Sequence, residues 1–367
     1  MSQSVATGPY MYGSAPRVLA SQSRVENVIN TTSVPHLTQG GHKDAKHQAL
    51  LSRWKANHEP GALAQAEARA RVLARSDAAK ERDKGLYMLA KFHGDAQAAE
   101  ATLRRVLLAG QEVSAKALRR SKALKALKAQ LDGTVPAAFV PAINLEGNRP
   151  NMLPLAYASW LAELFGGSLE TSLVNTSTDH GTNMGKAERA YLQAHFALRK
   201  PWTCPQQVVL VDDQWTSGKT VLALWATINE LQGCDTASSP VVAVTTLSAS
   251  YKGIRPHAES VARLLELSER TEDAFRQEFG YALTDCTESW IQSALTEYRR
   301  HAWQGPAYLS TFFPRVQHKS GSGAAACPQA DHAWSEAAER IYQAALCGLG
   351  ELTPLGLTWE DIWGKKV

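Results

Sequence analysis

The sequence contains no C-x-x-C pair: Cys204, Cys234, Cys286, Cys327 and Cys347 lie far apart. That spacing excludes a zinc-finger ligand set and a disulfide framework. No stretch approaches the roughly 18 consecutive apolar residues of a membrane-spanning helix, so no membrane partner is expected. The opening residues, MSQSVATGPYMYGSAP, lack the basic cluster and apolar run of a secretion signal, and a cytoplasmic protein is the expectation. Neither charge sign dominates. With 39 Lys and Arg against 35 Asp and Glu, the net charge is +4, so charge matters only where it clusters. Apolar residues at 44% and charged residues at 20% exclude wholesale disorder. A chain of 367 residues has room for two or three domains. No internal repeat is visible.

Residues 1–45 are rich in Ser, Thr, Gly, Pro and Asn and read as a flexible arm. Good helix formers dominate 46–131. Gly94 and Gly110 stand where helices end, and Asp95 and Ser114 where the next ones start. The last helix, Lys116–Lys128, carries Lys116, Arg119, Arg120, Lys122, Lys125 and Lys128 without an acid, and Leu124, Leu127 and Leu131 give it an apolar stripe. It reads either as a nucleic-acid or phosphate-facing surface or as the solvated face of a packed helix.

The texture changes at Gly133. Strands are expected at Val135–Ile143, Leu169–Val174, Gln207–Val211 and Pro240–Leu247, with helices at Leu153–Phe165 and Thr220–Leu231. This alternation predicts an α/β fold with a parallel, doubly wound sheet. Asn175–Lys186 reads as a loop. Helix returns over His257–His301, Ala307–Pro314 can add an edge strand, and His318–Ala330 is a flexible link. Trp334–Cys347 is a last helix, and Trp359 and Trp363 are expected to dock on the body.

The most informative run is Gln207 to Val221. An apolar strand delivers Asp212 and Asp213 at its carboxyl end, and the loop Thr216-Ser217-Gly218-Lys219-Thr220 opens a helix. In open α/β sheets, ligands sit outside the carboxyl ends of the strands. A helix start with free N–H groups favours a phosphate, and Gly218 lets the backbone approach it. Two carboxylates beside that pocket suit a group offering hydroxyls, so the residues point to a sugar phosphate. Ser217-Gly218-Lys219-Thr220 also resembles the end of a nucleotide P-loop, but that motif needs glycine where Asp213 stands. A bland reading of the acid pair is a capped helix start.

The same run resembles the signature of type I phosphoribosyltransferases for 5-phosphoribosyl 1-pyrophosphate (PRPP): apolar strand, two acids, then T-[TS]-G-x-T. Phe139–Leu153 resembles the first strand and pyrophosphate turn of the ComF-like branch. Thr178–Phe196 is similar to its mobile loop, with Met184, Arg189 and Phe196 at matching spacings. Gly181, Leu192 and Gln214 depart from the branch's pattern, its zinc module is missing, and the resemblance spans about 135–250.

This resemblance implies a doubly wound parallel sheet of the phosphoribosyltransferase kind over 133–256. A basic helical region (46–132) precedes it. A helical hood (257–315) and a linker with a C-terminal helix (316–367) follow it. It implies that Asp212 and Asp213 hold the ribose hydroxyls, with Mg²⁺ nearby, and that Thr216, Ser217, Gly218, Lys219 and Thr220 bind the 5-phosphate. The turn Leu145 to Arg149, with Asn148 and Arg149, would bind pyrophosphate, and Arg189 and Lys186 would close over it. The implied activity is transfer of phosphoribosyl from PRPP to a nucleobase-like acceptor with release of pyrophosphate. The alternative is a PRPP- or nucleotide-sensing regulator, or a nucleic-acid-associated protein, on the same fold. His180 reads as a solvated loop residue, and Trp215 and Trp225 as packing residues. The acceptor and the oligomeric state are not readable.

Overall fold

The computed structural model describes residues 29–30, 49–51, 53, 60–131, 133, 135–146, 149–176, 194, 196–199, 202–203, 205–215, 218–233, 239–249, 256–279, 283, 288–300, 305 and 334–364. It is an α/β protein built on a parallel sheet. A two-residue strand, β1 (Ile29–Asn30), comes first. Among the described residues, short helical pieces at 49–51 and 53 and then five helices follow: α1 (Pro60–Ala74), α2 (Ala79–Phe92), α3 (Ala96–Leu108), α4 (Ala115–Arg120) and α5 (Lys122–Gln130). Next come β2 (Ala137–Pro141), a tight hairpin of β3 (Leu145–Glu146) and β4 (Arg149–Pro150), and α6 (Met152–Phe165). The chain continues through β5 (Ser168–Leu169), β6 (Leu173–Asn175), β7 (Phe196–Leu198), β8 (Gln207–Trp215), α7 (Lys219–Leu231) and β9 (Val241–Ala249). It closes with α8 (Ala258–Ser268), α9 (Glu272–Phe279), α10 (Glu288–Arg300), α11 (Glu336–Gly350) and α12 (Trp359–Trp363).

The main sheet runs β1-β9-β8-β2-β5, and all its pairings are parallel. From β2 the chain crosses through α6 to β5 on one side. From β8 it crosses through α7 to β9 on the other. The order therefore reverses between the neighbours β2 and β8, and a crevice forms at such a point. Both faces of the sheet are covered, which is why β8 opens with four consecutive buried apolar residues, Val208 to Val211. Alternation divides them. Val209 and Val211 join the core shared with α2, α3, α6 and α11, and Val208 and Leu210 join the core under α7. The first core runs from Leu51 to Ile362, so the helices on either side of the α/β segment pack into it.

Sequence signals for helix ends hold well. Asp95 and Ser114 cap α3 and α4 by accepting from Ala98 N and Ala117 N, and Gly94 and Gly110 have left-handed backbones just past α2 and α3. The C-terminal aromatic residues dock as expected: Trp359 and Trp363 stack within 5.6 and 5.3 Å of the Phe165 ring.

Several expectations need correction. The arm is not featureless, because Ile29 and Asn30 pair with Thr245 and Thr246. The basic helix is two helices. Ser121 breaks it with an extended backbone, and its hydroxyl caps α5 by accepting from Leu124 N. Leu169–Val174 is not one strand. Its start pairs with β2, while its end bridges Ile143 just past β2 and pairs antiparallel with β7. The strand at Gln207 continues past Val211 to Trp215, held by β9 through Asp212↔Thr246 and Gln214↔Ser248. The helical stretch from His257 is three helices. The edge strand at Ala307–Pro314 and the link 318–330 lie outside the described residues. Among the described residues, no helix is long and apolar enough to cross a membrane.

Candidate functional site

The acid pair sits at the carboxyl end of β8, beside the reversal in strand order. Adjacent residues of an extended strand point to opposite faces, so Asp213 faces α2 and α6 while Asp212 faces the α7 side. Both are buried, at 8% exposure for Asp212 and 4% for Asp213.

Asp213 is the centre of a polar cluster. Lys91 Nζ and Tyr87 Oη, one turn apart on α2, each donate to its Oδ2 at 2.7 Å. Asn151 Nδ2 donates to its Oδ1 at 3.2 Å. Asn151 also caps α6, its Oδ1 accepting from Leu153 N, and its own N–H donates to Asn144 O. The cap that starts α6 is thus tied to the acid at the end of β8. Glu146, buried on the β3–β4 hairpin, adds a second negative charge acting on Lys91.

Local packing explains how α2 reaches the strand ends. Gly85 lies against α1 so closely that a Cβ there would come within 2.2 Å of Ala74 N, so only glycine permits this crossing. Asp83 holds α3 through Arg105, with Nε and Nη2 at 2.9 and 3.2 Å from its two oxygens. These contacts fix the helix that carries Tyr87 and Lys91.

Electrostatics separates the two acids. For Asp213, burial is the largest influence and pushes its carboxyl up. The charge and hydrogen bond of Lys91, with the Tyr87 hydroxyl, outweigh it and hold the group below the usual range. Asp212 is pushed well above its ordinary value, first by burial and then by the neighbouring Asp213 charge. Its Oδ1 accepts from Asp213 N at 2.8 Å. Lys91 is raised well above the ordinary lysine value. Burial, the largest influence, opposes this, and Asp213 overcomes it.

The helix start after β8 opens on a glycine. Gly218 is left-handed at φ +73°, ψ +2° and caps α7 without a side chain. A Cβ there would lie 2.4 Å from Trp215 Cζ2, and Trp215 is fully buried. On β9, next to Asp212 and Gln214, stand Thr246 and Ser248, and the buried Ser248 Oγ has no hydrogen-bond partner among the described residues.

Of the residues singled out in sequence, Asp212, Asp213, Gly218 and the half-buried Thr220 gather at this end of the sheet. Arg149, on the hairpin beside it, is exposed. Lys219 begins α7. Thr216, Ser217, Asn148, Lys186 and Arg189 lie outside the described residues, as do His180, Gly181 and Leu192. Trp225 is a packing residue, its Nε1 donating to Ser239 Oγ at 2.9 Å under α7. Sequence reasoning missed Tyr87, Lys91, Asn151 and Glu146. The available signal was Lys91 itself, a cation set in the apolar run Leu86–Phe92.

No protein-family model, curated protein or solved structure matches this chain.

Proposed function

We propose that the chain binds PRPP at the carboxyl ends of β2 and β8, on a sheet of the type I phosphoribosyltransferase kind. It transfers phosphoribosyl to a nucleobase-like acceptor and releases pyrophosphate. One observation carries this reading: the acid pair and the glycine-opened start of α7 flank the point where the strand order reverses. That combination offers a diol-binding carboxylate and an anion-binding helix start within one crevice.

The donor set suits Mg²⁺ in a limited way. Among the described residues there is no group of three or more His, Cys, Asp or Glu that could hold a metal. Mg²⁺ needs only one or two carboxylates when phosphates and water complete its shell. Asp212 would supply one of these carboxylates, its Oδ1 already accepting from Asp213 N. Asp213 shares in binding only when Lys91 leaves it. Bound there, the metal would act as a Lewis acid on the leaving pyrophosphate.

The chain's own residues do the rest. The amides opening α7 hold the 5-phosphate. Asp212 orients the ribose hydroxyls. The anionic Asp213 stabilises the positive charge that develops on the ribose ring. Arg149, with Arg189 and Lys186, supplies cationic partners for pyrophosphate, and closure over the site keeps water from hydrolysing PRPP.

A second reading rests on a different observation. Both oxygens of Asp213 are already engaged by Lys91, Tyr87 and Asn151. A site closed in this way suits a PRPP- or nucleotide-sensing regulator without turnover.

Isothermal calorimetry with PRPP and Mg²⁺, followed by a pyrophosphate-release assay across a nucleobase panel, separates the readings. Binding with release that is lost in Asp212→Asn supports the transferase. Binding without release supports the sensor. Absence of binding removes both.

A further inference from the structure

The strongest charge feature away from the acid pair is the surface of α4 and α5. Between Glu112 and Asp132 the sequence holds six cations and no acid. On α4, Ala117 and Leu118 are buried while Lys116, Arg119 and Arg120 are exposed, and these three lie at i, i+3 and i+4 on one side. On α5, Ala123, Leu124 and Leu127 are buried while Lys122 and Lys125, three apart, are exposed. Both short helices therefore turn an apolar side to the body and a basic side to solvent.

Lys128 does not belong to this surface. Its Nζ lies 4.9 and 5.3 Å from the ring centroids of Trp359 and Trp363, where it helps hold α12. The other five form no ion pair among the described residues. Of the two acids on α12, Glu360 and Asp361, Asp361 is turned to its own helix start, accepting from Thr358 N and Oγ1 at 2.7 Å each.

We propose that Lys116, Arg119, Arg120, Lys122 and Lys125 form a nucleic-acid-binding surface that contacts the phosphate backbone without reading sequence. Five cations on adjoining helices, without an ion pair among the described residues, match a polyanion of regularly spaced charges. The surroundings argue against other anionic partners. A helix lying in a membrane surface needs an exposed apolar side. Here Leu124 and Leu127 face inward, and among the described residues the exposed large apolar side chains are Val72 and Leu346, neither on α4 or α5. A protein partner would need apolar or aromatic anchors at the centre of the contact. Among the described residues, no exposed aromatic or large aliphatic side chain stands among the five cations.

The proposal is independent of PRPP binding. Its test uses fluorescence anisotropy with the full chain, a labelled 30-base-pair duplex of mixed sequence and a labelled 30-nucleotide single strand. For duplex, each neutralised phosphate contributes about −0.9 to the slope of log K against log salt, so five contacts give a slope of about −4.5. Between 50 and 200 mM salt, duplex affinity then falls on the order of 500-fold.

Replacing the five cations by Gln should abolish the binding. Replacing only the three on α4, or only the two on α5, should flatten the slope by about 0.9 per residue removed. A control chain with Arg75, Lys80, Arg263, Arg299 and Arg340 changed to Gln loses the same charge elsewhere and should bind like wild type. All substitutions are at exposed positions, and thermal melts check that the variants fold.

Equal loss in the control chain, a slope near zero, or tighter association with phosphatidylserine vesicles than with either nucleic acid overturns the proposal. PRPP uptake by the five-Gln chain reports separately on the acid-pair site.

Discussion

Lys91 on α2 and Asp213 on β8 stand 122 residues apart in the chain, yet the ammonium lies 2.7 Å from the carboxylate. Both side chains are more than nine-tenths buried. The pair joins the N-terminal helices to the carboxyl end of β8, so that region is part of the candidate site.

Lys91→Met should therefore destabilise the protein strongly. It leaves Asp213 buried with only the neutral donors of Tyr87 and Asn151. Breaking a buried pair from one side costs about 3–5 kcal/mol. Adding Asp213→Asn to Lys91→Met should recover much of that loss, because no unpaired charge then remains. Urea denaturation of the two single variants and the double variant measures the coupling. Additive losses would show that the two groups are not interacting.

Tyr87→Phe removes one hydrogen bond to the same oxygen without opening a large cavity. It should cost about 1–3 kcal/mol, the range for a charged acceptor that loses one donor. Proton NMR of the buried hydroxyl in wild type, and its absence in the variant, would accompany the shift in urea midpoint.

Gly218→Ala tests the start of α7. Alanine is strained at φ +73°, and its Cβ would collide with the buried Trp215 ring. A loss of about 2 kcal/mol is expected from backbone strain together with overpacking. PRPP uptake measured well below the melting transition should fall further than in an equally destabilised variant of the core under α7, such as Ile228→Val with Leu224→Val. Equal losses of uptake would separate Gly218 from ligand binding.

His93, just past α2, gives a pH dependence. Burial is the main influence and lowers its imidazole to about 4, with Arg71 and Arg149 adding to the effect and Glu67 and Asp95 opposing it. Its folded value lies below its unfolded value of about 6.5, so the unfolded chain binds more protons between those points. The contribution is complete above pH 6.5 and is lost as pH falls toward 4. It amounts to on the order of 3 kcal/mol, at about 1.4 kcal/mol for each unit. Urea midpoints at pH 7.5, 6 and 5 should fall in wild type, and the slope should flatten in His93→Asn.

Glu163 on α6 accepts from Leu355 N at 2.7 Å and Gly356 N at 3.3 Å. Together with the stack of Phe165, Trp359 and Trp363, it straps the C-terminal segment to the body. Glu163→Ala or Trp363→Ala should speed limited proteolysis within 351–364 several-fold while leaving the rest of the chain intact. Unchanged cleavage would show that the strap is held elsewhere.

The sheet was legible because its strands are fully buried. Val208 to Val211 and Val241 to Val244 are short apolar runs bounded by polar residues, a pattern that only a two-sided sheet interior requires. Helix ends were legible where a capping side chain or glycine marked them, as at Asp95 and Ser114. Ser121 carried the same signal, but the unbroken run of cations around it read as one helix. The split of Leu169–Val174 was hidden because its second half takes a further, antiparallel partner in β7, which no local pattern records. The acid pair and Gly218 stood out in sequence. The partners of Asp213 did not, because an ion pair across 122 residues leaves no spacing to read.

The two-residue strand β1 has a practical outcome for anyone trimming the chain. It shields Thr245 and Thr246 on the outer margin of β9, a segment made largely of β-branched residues. Cutting the protein after Asn30 would bare that margin and turn it into a seed on which copies zip together, so a shortened form is expected to precipitate where the longer one stays dispersed.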